Sequence, residues 1–376
     1  MARISLERLR QADWLLLFAV FALVLIGLAA IYSVELSQGD GQFLQLKKQA
    51  VAVVVSACVY AFAASSNYRL LRNYSLLLYS VGVVLMLAVL LFGSTIHGTT
   101  GWFTFGLISF QPVEFMKFAL AVALAAYFSS RGARTAGWKE LLHSGVIVAI
   151  PAGLTMLQPD FGSAFLLLSM WGFTILFAGL KKRYVFALGI FGILAMIFSW
   201  EFLFAEYQKD RILTFLDPSR DPLGQGYHVT QAIIAVGAGG WFGRGLGFGS
   251  QSQLKFLPES QTDFIFAVVA EELGFFGICL VLAGFLLVFQ RMYMLASRTR
   301  DEFTGFLLVA IGALFFAQFV VNVGMNIGLL PVTGVTLPLV SYGGSSLVFT
   351  LWMLGVVQSV AVHAGILSHA REAMVE

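Results

Sequence analysis

The chain has 376 residues, of which 59% are hydrophobic and 11% charged, with a formal net charge of +3. Soluble domains carry about a quarter charged residues, so this composition excludes an ordinary soluble protein. The small net charge, without a basic block, gives no footprint for nucleic acid.

Apolar runs recur along the whole chain, each long enough to cross about 30 Å of hydrocarbon as a helix. They are continuous rather than alternating, which excludes a barrel and leaves helices. The expected fold is all-α: a polytopic helical membrane protein forming a single integral membrane domain over residues 1–376. Met1 to Asp13 is too basic and polar for a cleaved signal, so the first run is read as a retained helix.

About ten spans are predicted, near 13–34, 45–65, 73–93, 112–130, 142–157, 160–179, 184–205, 262–290, 304–327 and 342–367. The fifth and sixth are close enough to form a tight pair. With the N-terminus inside, the cytoplasmic segments hold about 15 of the 23 Lys and Arg, among them Arg3, Arg8, Arg10, Arg134, Arg291 and Arg371. The outer side keeps Lys47, Lys48, Lys209, Arg211, Arg220, Arg244 and Lys255, most of them in one long loop that counts little. Both termini are therefore expected in the cytoplasm. Cys58 and Cys279 sit in apolar runs and are expected as buried small hydrophobes rather than a disulfide. The five histidines show no metal-ligand spacing.

The long extracytoplasmic loop, 206–261 between the seventh and eighth spans, departs from a plain bundle, and connections of this length are usually functional. It holds Phe215-Leu216-Asp217-Pro218, then Asp221-Pro222-Leu223-Gly224, an apolar piece from Val229 to Val236, and a glycine-rich run from Gly237 to Gly249. That run lacks the dinucleotide fingerprint, and the chain has no nucleotide phosphate loop.

Ionisable residues within spans cost at least about 2.5–3.5 kcal/mol each, so each needs a reason. Span four opens Gln111-Pro112-Val113-Glu114 with Lys117 a turn later, span six opens Gln158-Pro159-Asp160, and span eight is entered through Leu257-Pro258-Glu259 and Asp263. All three helices start at the outer face. Proline and an acid suit a first helical turn, so capping is one reading. Glu114 and Lys117 share a face and can pair as structural glue. The other reading is one outward-facing polar cavity lined by Glu114, Lys117, Asp160, Glu259 and Asp263. Glu271 and Glu272, deeper in span eight, are expected to bond to other helices.

Gln318, Asn322 and Asn326 form a polar stripe of the kind that holds helices together in lipid. The following loop ends Pro338-Leu339-Val340-Ser341-Tyr342-Gly343-Gly344-Ser345-Ser346. Its small residues either permit close packing or expose amides for an anion such as phosphate.

Taken in order and spacing, these segments resemble the RodA/FtsW family of cell-wall polymerases over nearly the whole chain. Gln111-Pro112-x-Glu114 and Gln158-Pro159-Asp160-x-Gly162 are similar to two of its motifs. Tyr207-Gln208-x-x-Arg211 and Gly226-Tyr227-His228-x-x-Gln231 resemble its outer loop, Thr262-Asp263-Phe264 its catalytic segment, and Pro338 to Ser345 its C-terminal signature. Gln251-Ser252-Gln253-Leu254 and the short tails are more similar to RodA than to FtsW. Gly101 stands where the family has arginine, Val113 where it has serine, and Ser260-Gln261 where it has a basic residue and histidine.

The resemblance implies a peptidoglycan glycosyltransferase of the bacterial cytoplasmic membrane that uses lipid II and works with a class B penicillin-binding protein. It places the essential aspartate at Asp263. A carboxylate can serve as general base for the attacking sugar hydroxyl, with Glu114 the second choice. The leaving undecaprenyl pyrophosphate needs positive charge from among Lys117, Arg211, Arg244 and Lys255. A divalent cation, Mg or Mn, is an alternative, with no metal ligands assigned. Substrate contact is expected from Gln111, Glu114, Lys117, Asp160, Arg211, Lys255, Glu259, Ser341, Gly343, Gly344 and Ser345. The rival readings are a lipid II flippase and a non-catalytic scaffold. A transport site belongs at the membrane midplane, whereas these acids gather at outer helix ends.

Overall fold

The computed structural model describes residues 12–36, 43–96, 98–106, 108–132, 136–202, 206–221 and 224–363. Arg3, Arg8, Arg10, His97, Arg134, Pro222, Leu223, His369 and Arg371 lie outside the described residues, as do the ends of the seventh and tenth predicted spans.

The chain forms α1 (Trp14–Leu36), α2 (Leu44–Ser65), the short α3 (Leu70–Asn73) and α4 (Ser75–Phe92). Three strands follow: β1 (Ser94–Ile96), β2 (Thr99–Phe105) and β3 (Ile108–Phe110). Next come α5 (Pro112–Ser130), α6 (Trp138–Leu157), α7 (Phe161–Phe177) and α8 (Lys182–Phe202). The outer layer holds α9 (Glu206–Leu216), a 3-10 turn (Pro218–Arg220), α10 (Gln225–Ala238) and α11 (Ser250–Gln253). The chain ends in α12 (Ile265–Arg298), α13 (Glu302–Asn326) and α14 (Gly344–His363).

All ten predicted spans are helices. Among the described residues nine are long and apolar enough to cross a membrane, and α7, with 17 residues, reaches the short end of the spanning range. The expected pair is present, with α6 packed along α7. The core is α5, α13 and α14. α13 packs on α5, α7 and α12, while α14 lies along α2. That last approach is close because Gly355 faces Tyr60: a Cβ there would sit 2.7 Å from the Tyr60 carbonyl.

The expected all-α polytopic fold holds, and the structure adds four features to the sequence reading. First, a small sheet sits among the helices. Residues 94–110 form an antiparallel three-stranded meander over α4 and α5. Its threonines, phenylalanines and tryptophan are good strand formers, and both turns carry left-handed glycines, Gly98 and Gly106. Second, residues 206–261 are not a plain loop, because three helices and a 3-10 turn lie within them.

Third, α12 is broken. Gly274 has φ 66° and ψ −160° in its middle. The backbone groups freed by the break are taken by the glycine-rich run. Arg244 N–H donates to the Glu271 carbonyl and Gly245 N–H to that of Glu272, both at 3.0 Å. Phe275 N–H donates to the Gly240 carbonyl at 2.8 Å and Phe276 N–H to that of Trp241 at 3.1 Å. Irregular backbone survives at membrane depth only when satisfied in this way. Gly243 touches α12 so closely, at φ 77°, that a side chain there would overlap the Glu272 carbonyl. The run therefore reaches about 14 Å along α12 from its start. Fourth, Cys58 and Cys279 are free as expected but sit on the outer surface of the bundle rather than in its interior.

Candidate functional site

The turn before α12 carries the sharpest residue. Glu259 adopts a left-handed conformation, φ 47°, and its carbonyl accepts the N–H groups of Thr262, Asp263 and Phe264 at 3.1–3.2 Å. This conformation costs a non-glycine residue on the order of 1 kcal/mol, so the surroundings must hold it.

Two elements do so. From α13, Asn322 and Asn326 both donate to the Asp263 carbonyl, at 3.0 and 2.9 Å, and the Asn326 side-chain oxygen accepts from Ala267 N–H at 3.0 Å. From the C-terminal loop, Ser341 Oγ donates to the Thr262 carbonyl at 2.6 Å and Tyr342 N–H to that of Gln261 at 2.8 Å. The polar stripe therefore grips the backbone that presents Asp263, with Asn322 also donating to the Val335 carbonyl at 2.8 Å. The Asp263 side chain is partly buried beside Gly334, whose φ is 72°.

The other acids are held separately. Glu114 and Lys117 pair at 2.8 Å and both are buried within the bundle. Asp160 caps α7, accepting from Ser163 N–H at 2.9 Å, so the capping reading is physically present. Its second oxygen accepts from Gln111 Nε2 at 3.5 Å, which joins the starts of α5 and α7. Gly162, two residues on, abuts the Thr333 carbonyl, so the 333–335 segment lies between the start of α7 and Asp263.

Glu259 and Lys255 are exposed and line a cavity of about 540 Å³ together with Val34, Gln45, Leu257, Pro258, Gln261, Thr262 and Tyr342; Asp263 does not line it. Arg211 is half-buried on α9. His228, on α10, is held below the usual histidine range by burial, against an opposing pull from Asp221 and Glu259.

The C-terminal signature is largely committed to packing. Gly343 N–H donates to Gln49 Oε1 at 3.1 Å, and Gln49 Nε2 donates to the Ser341 carbonyl at 3.4 Å. Ser345 Oγ donates to the Ser109 carbonyl on β3 at 2.7 Å. The Gly343 amide thus already has a partner, and Gly344 opens α14 beside Ala52.

The two buried glutamates bond to other helices as expected, but which helices was not read from the sequence. Glu272 meets the expected other helix, accepting from Ser33 of α1 at 2.6 Å, and also from Ser252 at 3.0 Å. Glu271 caps α11, accepting from the N–H groups of Gln251 and Ser252 at 2.7 and 3.1 Å. Together they anchor the segment that leads to Lys255 and Glu259. The available signal was a Glu-Glu pair three residues before a helix-interior glycine, downstream of a glycine-rich run.

Among the described residues no group of three or more His, Cys, Asp or Glu side chains converges as a metal cage. A divalent cation at this site would need oxygens from the substrate to complete its shell.

The sequence matches the FtsW/RodA/SpoVE family, described as cell cycle protein, over residues 13–365. It is 35% identical over 350 residues to the peptidoglycan glycosyltransferase MrdB of Escherichia coli strain K12, covering 92% of this chain and 94% of that one. It is 38% identical over 347 residues to the probable peptidoglycan glycosyltransferase FtsW of Shewanella sediminis, covering 89% and 83%. One chain of a peptidoglycan synthase complex, solved to explain the coordination of polymerization and crosslinking, matches with a TM-score of 0.78 at 33% identity, over 93% of this chain and 97% of that one. The crystal structure of the rod shape determining protein RodA of Thermus thermophilus matches with a TM-score of 0.69 at 29% identity, over 93% and 96%.

Proposed function

This chain belongs to the FtsW/RodA/SpoVE family of multi-pass membrane proteins, and from that premise we propose that it is a peptidoglycan glycosyltransferase of the cytoplasmic membrane that polymerises lipid II at the outer face. The observation that carries the mechanism is the clamp on Asp263: one carboxylate at the outer end of a membrane helix, with its backbone held from two sides.

In this mechanism Asp263 takes the proton from the attacking sugar hydroxyl. That oxygen then bonds to the anomeric carbon of the donor, and the bond to undecaprenyl pyrophosphate breaks. Fixed geometry serves such a base because proton transfer requires hydrogen-bond reach. Lys117 and Arg211 supply positive charge toward the departing pyrophosphate. Gln111 and Asp160, joined across two helix starts, are assigned to substrate contact. Ser341 and Gly343 serve the site by holding backbone, and Gly344 and Ser345 continue that support toward the β-meander. The substrate already lies in the bilayer, which suits a site set among the ends of membrane helices.

We assign it to elongation, as a RodA-type enzyme, on the Gln251-Ser252-Gln253-Leu254 segment. A class B penicillin-binding protein is the proposed partner. The similarity to a chain of a peptidoglycan synthase complex supports this.

The test is polymerisation of purified lipid II by the detergent-solubilised protein with its class B partner. Asp263→Asn should lower the rate by about 10²–10⁴-fold, the contribution of a general base, while the protein keeps its melting temperature. A folded Asp263→Asn protein that polymerises at the wild-type rate would remove Asp263 from the mechanism. Translocation of lipid II without polymer would favour a flippase.

A further inference from the structure

The cavity bounded by Lys255, Glu259, Gln261 and Tyr342 is not used by the mechanism above. Its volume, about 540 Å³, is within the roughly 300–1,000 Å³ of small-molecule sites. It lies on the same turn as the proposed base, because Thr262 lines it and Asp263 follows.

Three features define what would fit. Gln261 is 7% exposed, and its side-chain oxygen is buried without a hydrogen-bond partner among the described residues. The oxygen itself has no accessible surface, so a donor from a ligand in the cavity can meet it only when the amide turns. Lys255 and Glu259 place opposite charges at the mouth, each on a left-handed residue, φ 59° and 47°. Val34, Leu257 and Pro258 supply an apolar wall.

Pyrophosphate does not match this set, because Glu259 repels it and the apolar wall of Val34, Leu257 and Pro258 gives it no partner. A peptide segment matches on every count: its N–H groups donate to Gln261, a carboxylate meets Lys255, an amine meets Glu259, and alanyl methyls meet the apolar wall. We propose that this cavity binds the peptide stem of the lipid-linked substrate through a portion bearing both a carboxylate and an amine. This rests on the reading of the chain as a lipid II polymerase. It assigns Lys255 and Glu259 to stem recognition rather than to the leaving group.

The experiment compares lipid II carrying its full pentapeptide with a lipid-linked disaccharide lacking the stem, using the full chain with its class B partner. Lys255→Met and Gln261→Leu should each lower kcat/KM for the stem-bearing substrate about tenfold more than for the stem-free one, with the loss in KM. Equal losses on both substrates, or no loss, would overturn the proposal. Equilibrium binding of the soluble disaccharide pentapeptide to the same proteins separates this from the functional reading. Binding weakened by Lys255→Met in a protein that makes no polymer would sink the polymerase and leave the cavity assignment standing. Binding indifferent to Lys255 and Gln261 would sink the assignment whatever the activity.

Discussion

α8 and α13 are both apolar helices, of 21 and 25 residues, and composition alone makes each a membrane span. Their surroundings are opposite. No residue of α8 is buried, whereas α13 buries most of its length. Gly189 and Gly192 of α8 have nothing within 4 Å of an added Cβ, while a Cβ on Gly324 of α13 would meet Leu330 at 2.7 Å. α13 also buries Gln318, Asn322 and Asn326. Lipid is as apolar as leucine, so hydrophobicity takes a helix into the bilayer but does not choose its neighbours. Close approach of small residues and hydrogen bonds between helices make that choice.

Three substitutions would break or sharpen this contrast. The largest effect is expected beside α13, on α5. Lys117→Met leaves the Glu114 carboxylate unpaired in the interior and should cost about 3–5 kcal/mol, read as a fall in melting temperature in detergent. The double variant Glu114→Gln/Lys117→Met should recover most of that loss. If the single change is harmless, the pair is not buried in the working protein.

Asn326→Leu comes next. It strips one donor from the Asp263 carbonyl and leaves the Ala267 N–H unpaired, which should cost about 1–3 kcal/mol. Polymerisation should fall further than stability explains, because the turn carrying Asp263 loosens. Wild-type activity in a fully folded Asn326→Leu protein would show that the clamp is dispensable. The smallest effect belongs to α8: Gly189→Leu should change stability by no more than about 0.5 kcal/mol. A clear loss only in the presence of the class B partner would identify α8 as a surface that another helix covers.

The same contrast explains what could be read from the chain. Every span was legible, because a run of about twenty apolar residues is a local signal. So were the Glu114–Lys117 pair and the Asp160 cap, which join residues three apart. The clamp on Asp263 was not, because its partners are 59 to 79 residues away and nothing nearby marks them. Asn322 and Asn326 showed a stripe but not its target. The meander between α4 and α5 was hidden by its shortness, since strands of three residues hardly alternate. The break in α12 was hidden by the apolar continuity on both sides of Gly274. The candidate acids were found, but the single cavity read for them is not formed: Glu114 and Lys117 pair inside the bundle, Asp160 caps α7, and Glu259 lines an outer cavity that Asp263 does not. Burial of Glu114 and exposure of Glu259 depend on layers that composition does not encode.

The interruption at Gly274 has a consequence for how this protein is made. The residues that mend the break, Gly240 to Gly245, precede α12 in the chain and are synthesised first. α12 must therefore enter the bilayer against a segment already waiting there, or complete its own hydrogen bonds first and open them later. Either way, the run stitches both sides of the break to the outer layer, the Ile265 to Leu273 side through Glu271 and Glu272 and the far side through Phe275 and Phe276. A force applied to the outer face is therefore carried by both halves of the span, and the turn bearing Asp263 shares it with the helix beyond Gly274.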